Sequence, residues 1–592
     1  MSLSRNTFLI LNALREAGPL SQRELAGVTG LSLGSVNATV QSCREQGLIE
    51  GSEISDAGLF ALQPYKVDNA IIMAAGLSER FAPISYEKPK GMLRVRGEVL
   101  IERQIQQLQA AGITDITVVV GYRKEYFFHL IRKYGVTIVV NNEYATRHNN
   151  ASLWLVRDKL ANTYICSSDN YFTENPFEPY VYQAYYATEF VEGPTAEWCT
   201  VTGAGGRITD LVIGGEDAWV LLGQAYFDKA FSKRFVAALE DVYDKPETAD
   251  KLWEAIYLDH IDDLHMVRRE FPPGVIYEFD SLDELRGFDP AFLENVDSEI
   301  FDNIASTFGC KREDITDFVP LKQGLTNLSC RFTLKGEQYV YRYPGVGSEA
   351  FIDRGVEFQA LEVASNLGLD STFIGGDPVT GWKVSRFVQD ARPLDPMNDR
   401  DIEQAMESSR LLHQSGLELS KTFSFLGESL EYEKLLLEHG PIDIPGYGEL
   451  RDKALALGDY VAKDGYPLVP SHVDYLPLNF LIDPEGRMSI IDWEFAGMAD
   501  PAVDFATLVV CGEFPEEQSL KALTHYLGRA PSDEEKRHFW AHIALGGWCW
   551  YVWGSAKEAS GDDVGEWLYI YYRHAIEYMD RALEAYSGNH GV

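Results

Sequence analysis

One stretch, SHVDYLPLNFLIDPEGRMSIIDWEFAG from Ser471 to Gly497, sets the tightest limit on what this chain can become. It reads as a loop, a short strand, a turn at Pro484-Glu485-Gly486 and a second apolar strand, Met488 to Ile491. Three polar side chains stand around that hairpin: Asp474, then Asn479, then Asp492 at the end of the second strand. Phosphoryl transfer needs such a set. One carboxylate accepts a hydroxyl proton, one amide oxygen holds a metal ion, and a second carboxylate bridges Mg²⁺ to the nucleotide phosphates. Each residue alone fits a β-hairpin with scattered acids. The three together, with an apolar strand before the last, favour chemistry.

At 592 residues the chain exceeds one ordinary domain, so three or four are expected. A net charge of −38 argues against a protein that coats DNA or an anionic membrane. The seven cysteines are scattered without a C-x-x-C pair, which reads as reduced thiols in the cytoplasm. MSLSRNTFLILNALREAG leads into a polar helical pattern and not a small-residue cleavage site. The most apolar run, Ala544 to Trp553, is shorter than the ~20 residues a spanning helix needs. The expected class is a multidomain mixture of α/β and α+β.

In residues 1–65, helical spacing at Phe8, Ile10, Leu11 and Leu14 ends at Gly18-Pro19. Ser21 caps a second helix, with Glu24 completing a capping box, and a third carries Val36, Val40 and Cys43. LIEGSEISDAGLFAL then reads as a short β-wing. This order resembles the winged helix-turn-helix family, with Ser35 to Arg44 as recognition helix. The resemblance implies DNA binding, but charge opposes it. Arg5, Arg15, Arg23 and Arg44 stand against Glu16, Glu24, Glu45, Glu50, Glu53 and Asp56. Phosphate contact requires a positive excess that is missing here, so a docking or regulatory role is favoured over DNA.

Residues 66–292 begin with a strand, Ala70 to Met73, that runs into AAGLSERFAPISYEKPKGML. Backbone N–H groups at Ala74, Ala75 and Gly76 suit a triphosphate, with Arg80 and Lys90 neutralising it. Ala74-Ala75-Gly76-x3-Arg80 continued by Lys88-Pro89-Lys90 resembles the nucleoside-triphosphate transferases that make nucleoside-diphosphate sugars and CDP-choline. In that family the loop binds the nucleotide and the lysine stabilises the attacked phosphate. Two departures stand out: Ser78 at the family's second glycine, and Glu79 at its usual Ser or Thr.

A helix from Glu102 to Ala111, strand ITVVVGY, a helix from Tyr122 to Tyr134 and strand VTIVVNN then predict a doubly wound sheet. Asn149 and Asn150 match a stretch that lies near the nucleotide in the cytidylyltransferase branch. Asp169 closes an apolar strand, where open sheets bind ligands. The resemblance makes Asp169 a Mg²⁺ ligand together with Asp280, Glu278 being the alternative. Taken singly, each Asp fits a helix cap or solvated strand end as well. Trp198, Trp219 and Trp253 offer an aromatic box for a quaternary ammonium, although core packing is the better reading for any one of them. The resemblance is closest to the bacterial phosphocholine cytidylyltransferases, which implies CTP.

In residues 293–592, Gly324, Thr326 and Asn327 precede a strand, SCRFTLK, and suggest a nucleotide-covering loop. Arg342 ends the next strand as the phosphate cation, with Glu357 as its ion-pair partner. His472-x-Asp474-x4-Asn479 has the spacing of a kinase catalytic loop. With Ile491-Asp492-Trp493-Glu494, Asp500 and Asp504, it resembles the choline/ethanolamine kinases, cousins of the aminoglycoside phosphotransferases. Val473 departs from their usual Asn. Trp550 and Trp553 share a helical face and match the family's choline-boxing pair. An aromatic of the Tyr569–Tyr572 cluster, with Tyr569 first, closes the box, and Glu494 adds negative charge. The plainer reading is an aromatic core helix.

The expected whole is a small winged helix, a doubly wound nucleotidyltransferase and a two-lobed kinase. With ATP and Mg²⁺ it would convert choline to phosphocholine, and with CTP carry that to CDP-choline and pyrophosphate. Ethanolamine or another amino alcohol is one alternative. A sugar-1-phosphate nucleotidyltransferase fused to a small-molecule kinase is another, and a DNA-binding regulator sensing choline or CTP a third. The isolated module 1–65 is expected to show no sub-micromolar, salt-sensitive binding to a defined duplex in a fluorescence-anisotropy titration; such binding would overturn the charge argument.

Overall fold

The computed structural model describes residues 3–279, 281–321, 327–345, 352–561 and 563–588. They form two compact units, Met1–Glu299 and Ile300–Val592. Asp280, Gly324 and Thr326 lie outside the described residues.

The first unit opens with helices Arg5–Ala17, Gln22–Thr29 and Leu33–Glu45 around Phe8, Leu11, Leu14, Leu25, Val36 and Val40. Ser4, Ser21 and Ser32 cap them, and the Ser21–Glu24 capping box closes in both directions. The expected wing is mostly something else. Only Ile49–Glu50 and Glu53–Ile54 pair as strands. Ser55 then caps a helix, Asp56–Leu62, which turns Leu62 into the core.

A seven-stranded sheet follows, ordered Val267–Glu270, Tyr185–Thr202, Ile208–Phe227, Thr163–Ser167, Asn69–Ala74, Ile116–Val120, Thr137–Val140. Asn69–Ala74 runs parallel to both of its neighbours. Its apolar residues therefore alternate between two cores, Ile72 into one and Ile71 into the other. The strand order reverses at Asn69–Ala74, which opens a crevice at the carboxyl ends of it and of Thr163–Ser167. The helix expected over Tyr122–Tyr134 is broken. Arg123 takes a left-handed φ of 46°, a 3₁₀ turn covers Lys124–Phe127, and only His129–Tyr134 is α-helical.

In the second unit, helix Glu299–Phe308 leads into a five-stranded antiparallel sheet. Strands Asn327–Leu334, Glu337–Pro344 and Lys383–Arg386 are its centre, and helix Arg354–Leu367 follows the third of its strands in spatial order. Beyond them lie mainly helices and two small antiparallel pairs. Phe480–Ile482 pairs with Met488–Ile490, and Val469–Ser471 with Gly497–Ala499. The stretch Ser471–Gly497 thus folds as a hairpin inside a second clasp. Two long helices, Asp533–Ala559 and Glu566–Ser587, meet at Gly547. A Cβ there would stand 2.6 Å from the Ala575 backbone nitrogen and 2.9 Å from the Tyr571 carbonyl oxygen. Among the described residues, no helix is long and apolar enough to cross a membrane.

Candidate active sites

In the first unit, a cavity of about 470 Å³ occupies the crevice, lined among others by Ala74, Ala75, Gly76, Lys90, Asn149 and Asp169. Lys90 reaches it from the 3₁₀ turn Lys90–Met92, whose Gly91 leaves room for Ser168 at Cβ-contact range. The Lys90 Nζ pairs with Asp169 Oδ2 at 2.7 Å and stands 4.7 Å over the Phe81 ring. Asp169 Oδ1 is buried with no hydrogen-bond partner. A cation-ready oxygen therefore faces the cavity beside the lysine. Strand Ile276–Glu278 pairs with Asn170–Phe172, which sets Glu278 opposite Asn170. A Cβ on Gly223 would meet Glu278 Oε2 and Asn170 Oδ1 at 3.0 Å and Ser167 Oγ at 3.1 Å, so these oxygens converge around Gly223.

Other expected residues of this site are placed differently. Arg80 sits exposed on the turn Glu79–Phe81 and does not line the cavity. Asn150 is fully buried and donates to the Thr248 carbonyl at 2.9 Å and to that of Lys251, so it holds a loop and does not face the nucleotide crevice. Asn149 Oδ1 accepts from the Trp253 backbone N–H at 2.7 Å. Trp253 is a core residue, stacked on Tyr186 and edge-on to Phe227 and Phe235. It cannot wall a substrate box. Trp198 and Trp219 lie on the long strands Tyr185–Thr202 and Ile208–Phe227, Trp219 beneath the Arg268 guanidinium at 4.6 Å, and neither lines the cavity. Glu254, which no motif marks, is half-buried between Tyr186 and Asn149, and desolvation pushes its carboxyl up to about 7.

In the second unit, Asp474, Asn479 and Asp492 come together. Asn479 Nδ2 donates to Asp474 Oδ2 at 3.0 Å and to its carbonyl at 2.8 Å, which leaves the amide oxygen of Asn479 for a cation. Burial, reinforced by the charges of Asp492 and Glu494, pushes the Asp474 carboxyl up to about 8. His472 donates from Nε2 to the Ile491 carbonyl at 2.9 Å, tying the loop to the residue before Asp492. The buried Asp504 carboxylate accepts from the Val473 N–H at 2.7 Å and the His472 N–H at 3.3 Å, and bonds His413 at 3.0 Å. That grip holds Val473 at φ 72° and buried. A branched residue in the left-handed region costs roughly 1–2 kcal/mol, whereas Asn tolerates it better.

Arg342 forks onto Glu357, one contact at 2.9 Å, and lies 3.9 Å from Asp492. Lys383, which the sequence reading passed over, stands 3.3 Å from Glu357 and 4.0 Å from Asp492. Burial alone would raise Glu357, but Lys383, Arg342 and Arg354 hold it far below the usual carboxylate range. Glu494 is not in the aromatic pocket. It accepts from Asn327 Nδ2 at 2.8 Å and pairs with Arg354 at 3.4 Å. Asn327 is thereby engaged with Glu494 and Arg354.

Trp550 and Trp553 are buried on Asp533–Ala559, ring centroids 6.1 Å apart and planes at 89°, two walls of a corner. Phe495, three residues past Asp492, stands edge-on to Trp550 at 6.0 Å. Tyr569 is 66% exposed and closes nothing. Tyr571 is buried; burial, Cys511 and Asp474 push its hydroxyl up, and burial with Asp474 among the causes does the same for Tyr432. Half-buried Glu428 bears on Tyr432 and Cys549 and puts a carboxylate near this cluster.

Comparison with known proteins fits both sites. A MobA-like NTP transferase domain matches residues 70–173, a winged helix-turn-helix DNA-binding domain 3–50, and the phosphotransferase enzyme family 383–540. Choline-phosphate cytidylyltransferase of Streptococcus pneumoniae is 36% identical over 217 residues, 37% of this chain and 95% of that protein. The chain belongs to the choline-phosphate cytidylyltransferase family. Its membership rests on the first unit. On the other side, Protein LicA of Haemophilus influenzae is 25% identical over 273 residues, 44% of this chain and 77% of its own length. The solved structure of choline kinase LicA from Streptococcus pneumoniae is 26% identical, with 49% of this chain and 98% of that one covered and a TM-score of 0.41. The chain is an enzyme with two transferase sites, a winged helix preceding them.

The half-buried Asp474 yields a pH test. A carboxyl raised to about 8 is protonated below that pH, so its burial costs stability only as pH climbs from the unfolded carboxyl range toward 8 and beyond. Without Mg²⁺ and nucleotide, Asp474→Asn is expected to melt several degrees above the parent at pH 9 and to match it near pH 4, read by differential scanning fluorimetry. A difference that stays constant with pH would contradict the buried-acid reading.

Proposed function

We propose that the C-terminal site phosphorylates choline with ATP and that the N-terminal site joins the phosphocholine to CTP, releasing pyrophosphate. We divide the chain for this purpose into residues 1–65, 66–292 and 293–592. The observation that carries the reading is the right-angled Trp550–Trp553 corner, which shares one core with Val473 and Tyr475 on either side of Asp474. Aromatic faces at right angles suit a quaternary ammonium, which makes no hydrogen bonds; a primary ammonium needs acceptors. The cytidylyltransferase relationship of the first unit supplies a use for the product.

In the kinase site Asp474 takes the choline hydroxyl proton as that oxygen bonds the γ-phosphorus and the bond to ADP breaks. Its high pKa means that it becomes a base only once cations gather around it, choline's own ammonium included. Arg342 and Lys383, held by Glu357, face the nucleotide phosphates. Asn479 and Asp492 would hold Mg²⁺, which supplies charge neutralisation on the phosphates. Asp504 positions the loop through its backbone.

In the transferase site the phosphocholine oxygen attacks the α-phosphorus of CTP in line and pyrophosphate leaves. No general base is required, because the attacking phosphate is already ionised. Lys90 offsets the developing charge. Asp169, with its unpartnered Oδ1, suits Mg²⁺, and Glu278 or Asp280 would complete the site. Seven free thiols fit a reducing cytoplasm.

Incubation with choline, ATP, CTP and Mg²⁺, followed by mass, tests the whole. Asp474→Ala is expected to slow phosphocholine formation roughly 10²- to 10⁴-fold while conversion of supplied phosphocholine persists. Lys90→Ala is expected to slow the second step by roughly 10²-fold or more, with phosphocholine accumulating. Joint loss of both half-reactions in a folded variant would refute two independent sites.

A further inference from the structure

A cluster that neither reaction uses lies on the helix that carries the tryptophans. His538 and His542 stand one turn apart on Asp533–Ala559, so their rings project to the same side. Both turn Nε2 toward Asp500, which sits between strand Gly497–Ala499 and helix Ala502–Cys511. His538 Nε2 lies 3.0 Å from Asp500 Oδ1 and 3.1 Å from Oδ2, and His542 Nε2 lies 3.6 Å from Oδ1. One donor atom from each residue falls within 4.8 Å of the others. The rings are almost wholly buried and the carboxylate is the one member with access to solvent.

The proton positions are what make this cluster unusual. His542 Nδ1 is 3.0 Å from the His538 carbonyl oxygen, which can only accept, so the ring proton of a neutral His542 sits on Nδ1. Its Nε2 lone pair then points at a carboxylate oxygen, an acceptor facing an acceptor. A second proton on His542 would set a new charge against the His538 ring, 4.6 Å away in the same buried site. A cation resolves the conflict without either cost. His538 is prepared in the same way: its Nδ1 bonds Asp464 Oδ2 at 2.9 Å, and Asp464 is itself fixed by Arg537 at 3.4 Å and by the Tyr586 hydroxyl. A carboxylate behind a ligating imidazole is the usual outer support of a metal site. Tyr466 stacks on His538 at 3.9 Å and limits rotation of the ring.

Geometry and donor type then select the ion. Bonds of about 2.0–2.1 Å to a tetrahedral centre set neighbouring donors about 3.3 Å apart, close to the 3.0 and 3.6 Å seen here. Two imidazoles and one carboxylate suit Zn²⁺ and its first-row neighbours; Mg²⁺ takes oxygen ligands.

We propose that Asp500, His538 and His542 bind a Zn²⁺-class transition-metal ion, distinct from the Mg²⁺ of the phosphoryl chemistry, with water completing the coordination from the side of Asp500. The bound ion staples the tryptophan helix to the segment that runs from Asp492 to Asp504. It thereby fixes the aromatic corner relative to the catalytic loop.

The full-length protein, held in excess Mg²⁺ so that oxygen-ligand sites are occupied, is titrated with Zn²⁺ by calorimetry and analysed for metal after dialysis. A single equivalent of retained zinc is expected. His542→Gln should weaken it more than tenfold, and Asp464→Asn, which removes only the outer support, by roughly 10–100-fold. Where His542→Gln fails to fold, Co²⁺ added to the parent chain decides: intense visible bands of a tetrahedral nitrogen–oxygen site without thiolate charge transfer support the assignment. Absence of retained zinc, an unchanged affinity in folded His542→Gln, or a thiolate-type cobalt spectrum would each overturn it.

Discussion

The buried carboxylate of Asp504 is the fixed point of the second unit. It takes two backbone N–H groups from the loop that ends in Asp474, and it bonds His413 from a helix far away in sequence. Because those contacts are made by backbone, the loop conformation does not depend on which side chain stands at Val473. The unfavourable φ at that residue is tolerated for the same reason: two charge-assisted hydrogen bonds outweigh a local cost of roughly 1–2 kcal/mol. From this anchor the His472 ring reaches the Ile491 carbonyl, and the hairpin that delivers Asp492 is set in register with Asp474.

Both sites pair their cations with carboxylates of their own. Lys90 leans on Asp169, and Arg342 and Lys383 lean on Glu357. Glu357 is so strongly held in its charged form that it acts as a permanent counter-ion, which spreads the charge of three basic residues without removing it. Asp474 is the opposite case, a carboxyl that its surroundings keep neutral. The two surroundings push their carboxyl groups in opposite directions, Glu357 toward the charged form and Asp474 toward the neutral one.

Legibility in the sequence tracked distance along the chain. Asp474, Asn479 and Asp492 were readable because their relation is local: one loop, one hairpin, one spacing. Lys90 was readable through a contiguous loop. Lys383 was not, since its partners Glu357 and Asp492 are remote in sequence and only the tertiary fold brings the three together. Glu494 was misplaced because adjacency to Asp492 says nothing about the direction of its side chain, which Arg354 and Asn327 decide. The Tyr569–Tyr572 cluster was recognised as a group, but helical phase turned Tyr571 inward and Tyr569 out. Trp253 and Asn150 belong to one packed loop, a relation that no local pattern expresses.

The glycine at 547 sets a width. It brings two long helices into backbone contact, with Trp550 three residues further along one and the Tyr571 carbonyl on the other. The spacing between these aromatic-bearing helices is therefore set by main chain against main chain, the stiffest contact a protein offers. An enclosure gauged in this way cannot widen by a rotamer change. Its width beside Trp550 is a main-chain quantity, fixed as the gap of a set calliper is.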